Sequence, residues 1–283
     1  MAGAGRNPPP YATPTKSRKQ SRTSAAVVDG EDRISALPDA MILHVFSFLE
    51  IKDVVKTSAL SRRWYSLWTQ TSAVTINAES VRDFSYIERF FLQCTSPVIR
   101  KLHLLCLLYC AGYNFHLWIR FAVGRGIEHL CMDLHKEYWN DYYNLPRALF
   151  RCKSLKWLKL RLCEFPSLRN GEFMGISWSS LKVLCVHDMK MVDGVIKGVL
   201  EGSPLLESLT LETCYGMTNI RIFSKNMKEL VIRRYCDPYY IDEYNEDDEN
   251  RENSRLEIYA PYLRSLPLGG KGSHCPEGST FPG

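Results

Sequence analysis

Residues 155–163 read LKWLKLRLC, and residues 206–214 read LESLTLETC. In both, leucine holds the first, fourth and sixth places and cysteine the ninth. The alternation in Leu158-x-Leu160 and Leu209-x-Leu211 is the period of a strand with one buried face. Each nonapeptide therefore predicts one short strand followed by a turn, with Cys163 or Cys214 packed under that turn. Working outward, the same spacing recurs at Ile99/Leu102/Leu104, Ile127/Leu130/Met132, Leu181/Leu184/Val186, Met227/Leu230/Ile232 and Leu263/Leu266/Leu268. Counting all seven sets, successive starts lie 28, 28, 26, 25, 21 and 36 residues apart. The last gap is long because the acidic stretch 242–252 (DEYNEDDENRE) interrupts it, and a further strand is expected there around Leu256-Glu257-Ile258. Helices are expected before some strands, at Phe115–Ala122 and at Val195–Leu200, the latter capped by Asp193.

A period in the twenties with one strand per unit is the signature of leucine-rich repeats. Such a solenoid places parallel strands on a concave face and helices or irregular turns on the convex one. The strand positions between the core residues then point to the concave face. They include Lys101, His103, His129, Cys131, Asp133, Trp157, Lys159, Arg161, Val183, Cys185, His187, Thr210, Glu212 and Arg233. Trp157 with Lys159 and Arg161 is the most binding-like cluster, because an aromatic beside two cations is a common anchor. The alternative is an ordinary solvated strand face.

Residues 32–68 differ in character (DRISALPDAMILHVFSFLEIKDVVKTSALSRRWYSLW). Pro38 suits a first helical turn. Ile42, Val45, Phe46 and Leu49 follow at the spacing of one helical face. Asp53 is expected to cap a second helix carrying Val54, Val55 and Leu60, and Ser61 a third carrying Trp64, Leu67 and Trp68. Three short helices in so few residues make a marginal core, so apolar surface is expected to remain for a partner.

This segment resembles an F-box, through Leu37-Pro38, Ile42, Leu43, Val45, Phe46, Ser47, Leu49, Asp53, Val54-Val55, Leu60-Ser61-Arg62-Arg63-Trp64 and Leu67-Trp68. The repeats resemble those of plant F-box/leucine-rich-repeat proteins of the FBD type, through Pro204-Leu205-Leu206-Glu207-Ser208-Leu209 and the stretch Leu256-Glu257-Ile258-Tyr259-Ala260-Pro261-Tyr262-Leu263-Arg264-Ser265-Leu266. The fold expected is α/β, a three-helix F-box followed by a repeat solenoid. Its parts are a basic tail (1–30), the F-box (31–72), a linker and helix (73–97), the repeats (98–268) and an irregular end (269–283). The resemblance implies a non-catalytic substrate receptor of a cullin–RING ubiquitin ligase. The F-box would dock on a Skp-type adaptor and, through it, on cullin, while the repeats hold a target protein. Leu37, Pro38, Ile42, Val45, Leu49, Val54, Val55 and Trp64 are the expected adaptor contacts. Trp157, Lys159, Arg161 and His187 are the expected substrate contacts. FBD proteins continue with more repeats and an FBD segment, whereas this sequence closes in GGKGSHCPEGSTFPG, so a shortened array is expected.

Composition narrows the alternatives. The chain has 283 residues, 45% hydrophobic and 24% charged, as expected for a globular protein. Its longest apolar run, 104–111, is too short to cross a bilayer. The N-terminus lacks the apolar core of a secretory signal. Ten cysteines without a CxxC pair read as reduced thiols, buried as small apolar groups in a cytoplasmic or nuclear protein. His129, Cys131 and His135 lie close in sequence, but no second pair has zinc spacing, so no metal or other cofactor is expected. No GxSxG, P-loop, HExxH or GxGxxG motif supports catalysis. The net charge of +5 divides into a basic tail, the acidic stretch and a mildly basic body. It speaks weakly for nucleic acid. Residues 16–22 (KSRKQSR) read as a weak import patch or a solvated tail. The remaining alternatives are a small-molecule co-receptor, with Trp157, Arg161 and His187 lining a pocket, and a non-degradative binding module.

Overall fold

A computed structural model of the chain describes residues 34, 36–78, 85–107, 113–135, 142–166, 175–216, 219–233 and 255–266. The basic tail with its import patch, the acidic stretch 242–252, Leu268, Cys110 and the end of the chain lie outside them. Of the described residues, Ile34, Ala36 and Leu37 belong to one unit, in which the Leu37 N–H donates to the Ile34 carbonyl at 3.1 Å, and those from Pro38 onward belong to another.

The second unit opens with helices α1 (Asp39–Phe46), α2 (Ile51–Lys56) and α3 (Arg62–Leu67). Pro38 is the residue just before α1, with φ −59°, and its carbonyl accepts from the N–H groups of Met41 and Ile42. Ser61 caps α3 as its position predicts, its hydroxyl accepting from the Trp64 N–H at 3.2 Å. The expected cap at Asp53 is corrected. The helix starts earlier, after Glu50, because Ile51 and Val54 must share its buried face. Asp53 then lies in the first turn and pairs with Lys56 at 2.8 Å. The α1 face is also turned: Ile42 and Phe46 point inward, whereas Val45 is exposed.

Strands β1 (Ala73–Asn77), β2 (Lys101–Leu107), β3 (His129–His135), β5 (Trp157–Arg161), β7 (Val183–His187), β8 (Ser208–Glu212) and β10 (Glu229–Arg233) form one parallel sheet in that order. Each Leu-x-apolar pair is buried within it: Leu102/Leu104, Leu130/Met132, Leu158/Leu160, Leu184/Val186, Leu209/Leu211 and Leu230/Ile232. Helices α4 (Ser85–Gln93), α5 (Tyr113–Gly124) and α6 (Asp193–Gly202) precede β2, β3 and β8. Asp193 stands in the first turn of α6, one place after the actual cap, Val192. Two short parallel pairs flank the main sheet: β4 (Tyr143–Asn144) with β6 (Cys163–Glu164), and β9 (Asn219–Phe223) with β11 (Arg255–Tyr259). β11 is the strand expected around 256–258.

Two expectations about the ends of the array change. The stretch read as linker contains β1, whose Val74 and Ile76 are buried and whose register pairs Ala73 with Lys101 and Asn77 with Leu105. It escapes the repeat pattern because no leucine stands three places before Val74. At the other end, residues 263–266 make only a bridge from Ser265 to Glu229, and Leu266 is exposed.

The turn leaving each middle strand is shared. Leu162, Asp188 and Thr213, each one residue beyond its strand, have φ of 54°, 50° and 53°. The next residue is Cys163, Met189 or Cys214, all buried. The Cys163 thiol meets the Arg161 carbonyl at 3.4 Å, and Cys214 meets the Glu212 carbonyl at 3.5 Å. The cysteine positions thus mark this turn, and a methionine fills the same place in the repeat between them.

Candidate functional site

Helices α1, α2 and α3 divide their apolar residues sharply. Ile42 and Val54 are wholly buried and Trp64 nearly so, with Phe46 and Trp64 in an edge-on ring contact at 5.6 Å. These three expected adaptor contacts are therefore the small domain's own interior. Three short helices retain a core of this size because the first repeat lends them a wall: Trp68 lies against Phe90 of α4. Pro38 is exposed, Val45 is 42% exposed, and Leu37, Leu49 and Val55 are half-buried. Larger apolar side chains of the same segment are also exposed: Met41, Phe48, Leu60 and Tyr65, with Phe48 at 75%. Met41 and Val45 are four apart on α1, so helical periodicity could have found this pair, and Phe48 lies in the turn after the helix. Arg63 of α3 donates through Nε to Asp39 of α1 at 2.7 Å and ties the two helices together.

The open face of the sheet is ordered by its register. One row reads Lys101, His129, Trp157, Val183, Ser208, Glu229; the next His103, Cys131, Lys159, Cys185, Thr210, Val231; the third Leu105, Asp133, Arg161, His187, Glu212, Arg233. The structure thus brings Arg161 and His187 side by side and places Trp157 at the other end of the same strand. The expected pair of cations beside an exposed Trp is corrected in two respects. Trp157 is half-buried. Both cations are engaged by acids, one of them, Asp188, outside the expected concave-face positions: Lys159 donates to Asp133 at 2.8 Å, and Arg161 donates through Nε to Asp188 at 2.8 Å and lies 3.5 Å from Asp133. Asp188 reaches this position because its left-handed backbone turns it back toward β5.

Burial alone would raise the Asp133 carboxyl. The Lys159 hydrogen bond and the charges of Lys159, Arg161 and His135 outweigh it and hold Asp133 below its ordinary pKa. Burial lowers His103, His129 and His187, so these imidazoles are neutral at pH 7. His187 Nδ1 lies 3.3 Å from Glu212 Oε2. Burial pushes the Cys131 and Cys214 thiols up to about 12, and Cys163 higher still. These are packing groups and poor nucleophiles. Among the described residues, no group of three His, Cys, Asp or Glu is placed to hold a metal ion.

A shallow hollow opens where the first strands meet the F-box. Ser47, Ala73, Thr75, Lys101, Leu102, His103, His129, Cys131 and Trp157 line it. Arg161 and His187, expected to line a pocket with Trp157, are not among its walls.

A family profile described as "F-box domain" matches residues 34–72, and one described as "FBD-associated F-box protein At5g56370, LRR repeats" matches residues 115–250. Three curated relatives come from Arabidopsis thaliana. FBD-associated F-box protein At5g56370 is 30% identical over 251 residues, covering 86% of this chain and 55% of that protein. F-box/FBD/LRR-repeat protein At1g51370 is 31% identical over 256 residues, with coverages of 88% and 52%. F-box/LRR-repeat protein At3g03360 is 30% identical over 263 residues, with coverages of 90% and 50%. The chain spans about half the length of the curated relatives it matches.

Proposed function

Since the chain belongs to the plant F-box/leucine-rich-repeat proteins of the FBD-associated type, we propose that it is a substrate-recognition subunit of a Skp–cullin–F-box ubiquitin ligase. Proteins of this family are typically adaptors without a catalytic centre. The F-box would hold a Skp-type adaptor, and the open face of the repeats would hold the protein to be modified. Such a receptor would act in the cytoplasm or the nucleus.

The carrying observation is that Met41 and Val45 on the first F-box helix, and Phe48 in the turn that follows it, are exposed while Ile42 and Phe46 of the same helix fill the core. Side chains of this size left in water are costly, and covering each one is worth about 1.5–3 kcal/mol. Asp39 on the same helix and Lys52 on the next are exposed, and exposed polar groups usually rim an apolar contact. The open face contributes the second half of the reading. Seven strands at about 4.8 Å spacing span roughly 30 Å, enough for a protein loop or helix.

Co-purification with a Skp-type adaptor tests the proposal. Wild type should retain the adaptor. A Met41→Glu/Val45→Glu variant and a Leu37→Ala/Pro38→Ala variant should lose most of it, with the thermal midpoint of the first held near wild type. Equal capture by wild type and both variants, or no capture by wild type, would sink the reading.

A further inference from the structure

Helices α4 and α5 lie side by side, joined by their rings. Phe91 of α4 stacks on Trp118 of α5 with centroids 5.6 Å apart and meets Phe121 edge-on at 5.1 Å. Phe90 and Phe115 are wholly buried and fix which side of each helix faces inward. At about 3.6 residues per turn, Leu92 then stands opposite Phe90, and Leu117 opposite Phe115. Leu92 is 87% exposed and Leu117 59%, whereas Phe91 and Phe121 are half-buried. The outer surface of the helix pair thus reads Leu92, Phe91, Phe121, Leu117 across its width. Arginines border this strip. Arg89 lies one turn before Leu92 and Arg120 one turn after Leu117; both are exposed, and neither guanidinium has a hydrogen bond or ion pair among the described residues. Arg125 adds a third cation just beyond α5, its guanidinium 3.6 Å from the centre of the Phe121 ring and 3.4 Å from the Cys94 carbonyl. Glu88 is the single acid on the two helices.

We propose that this strip holds an amphipathic helix of a partner protein, one whose apolar stripe is bordered by aspartates or glutamates. Leucines standing clear of the surface on two parallel supports meet a third helix through side chains three, four and seven places apart. The arginines on the two borders then reach carboxylates on either side of that stripe, where the guanidinium fork can bind both oxygens at once. Charge decides against a second copy of this chain as the occupant, because two such strips laid together would set arginine against arginine. A lipid surface is a poorer match. Membrane-lying helices sink a broad apolar face about 5–10 Å into the bilayer, and here the two phenylalanines are held half-buried between the helices, leaving a strip one helix wide. Helix α5 has 12 residues, so the matching segment is about three turns long. The strip shares no residue with the exposed apolar side chains of the F-box or with the open face of the sheet. It is a third surface, and it does not depend on the receptor reading above.

The test uses the full chain, alone and bound to its adaptor, and a display library of helical peptides with randomised surface positions. Selected peptides should share apolar residues three, four and seven places apart with Asp or Glu beside them. Exchanging those acids for Asn or Gln should weaken binding about tenfold, the size of a charge-assisted hydrogen bond. Because that exchange is made in the peptide, it reads the same interaction even where a variant of the chain folds poorly. Arg89→Gln/Arg120→Gln should weaken binding equally and flatten its dependence on salt, and Arg89→Lys/Arg120→Lys should restore part of it. Leu92→Ser/Leu117→Ser should lose binding, and Leu205→Ser, an exposed leucine outside the strip, should retain it. Peptides without bordering acids, capture of none, or equal binding to wild type and Arg89→Gln/Arg120→Gln would each overturn the proposal. Capture by the chain alone but not by its adaptor complex would give the strip to the adaptor and overturn it too. Co-sedimentation with phosphatidylserine vesicles that is lost in Leu92→Ser/Leu117→Ser would replace the protein helix with a lipid surface. A chain that retains no adaptor but selects acid-bordered helices rejects the receptor reading and leaves the strip standing.

Discussion

The rings of Trp68 and Phe90 lie 6.2 Å apart, joining the last turn of the F-box to helix α4 of the first repeat. Both side chains are almost fully buried. Glu50 bridges to Thr75 on β1 and accepts from Asn77 Nδ2 at 3.2 Å. The F-box thereby covers the outer edge of the sheet, which would otherwise offer unpaired backbone groups. F-box and repeats should accordingly unfold as one unit. Phe90→Ala should cost about 3–5 kcal/mol. Trp68→Phe should cost much less, because the Trp68 indole N–H is buried with no hydrogen-bond partner among the described residues and its removal offsets lost contact. Calorimetry checks both. Two resolved transitions in the wild type would contradict the shared core.

Ile42 and Val45 stand three residues apart on α1 and fall on either side of the edge of its buried face, one wholly buried and the other 42% exposed. Ile42→Ala should lower stability by about 2–5 kcal/mol. Val45→Ala should change it by no more than about 0.5 kcal/mol while weakening adaptor capture. Urea denaturation alongside adaptor pull-down separates the two effects. Equal destabilisation by both would mean that α1 is rotated from the arrangement described.

This pair shows what the sequence could and could not disclose. The repeat strands are legible because their buried positions obey a strict period of two, and Leu158 and Leu160 stand for a rule repeated along the sheet. The turns are legible through Cys163 and Cys214. In the F-box, Ile42, Val45 and Phe46 all satisfy a helical period. Which of them faces a partner depends on how α1 is rotated against α3 and on the wall supplied by Phe90, neither of which is local. The open face is hidden for a related reason. Lys159 and Arg161 look like free cations until register places Asp133 beside them and the turn brings back Asp188. Ser47 joins the hollow only through packing between segments far apart in sequence.

Thr213 holds a left-handed backbone, with φ 53°, in the turn after β8. A side chain with a Cβ costs about 1–2 kcal/mol there, and a β-branched residue tolerates the conformation poorly. Thr213→Asn should raise stability by several tenths up to about 1 kcal/mol, since Asn visits this region readily. The equivalent change at Leu162, φ 54°, should have the opposite sign. Leu162 is buried, and the roughly 1.5–3 kcal/mol gained by burying a leucine exceeds the strain that would be relieved. Thermal midpoints of the two variants decide the matter, and a stabilised Leu162→Asn would refute the argument.

Acid should loosen the sheet in two separate steps. His103, His129 and His187 bind protons less readily in the folded chain than the ordinary 6.5, with burial as the leading cause. The unfolded chain takes up protons that the folded chain refuses, so stability falls as pH drops below about 6.5. Around His103 the Asp133 charge opposes the shift and Lys159 adds to it. At His187, Lys159 adds to the shift, while Glu212, Asp188 and Asp133 oppose it. The second step comes below the ordinary carboxylate range, where Asp133 must be protonated and its hydrogen bond to Lys159 is lost. Urea midpoints should therefore decline between pH 7.5 and 5.5 and decline again below about pH 4. A His103→Gln/His187→Gln variant should flatten the first decline and leave the second unchanged. A wild-type midpoint constant from pH 7.5 to 5.5 would show that these imidazoles charge freely in the fold.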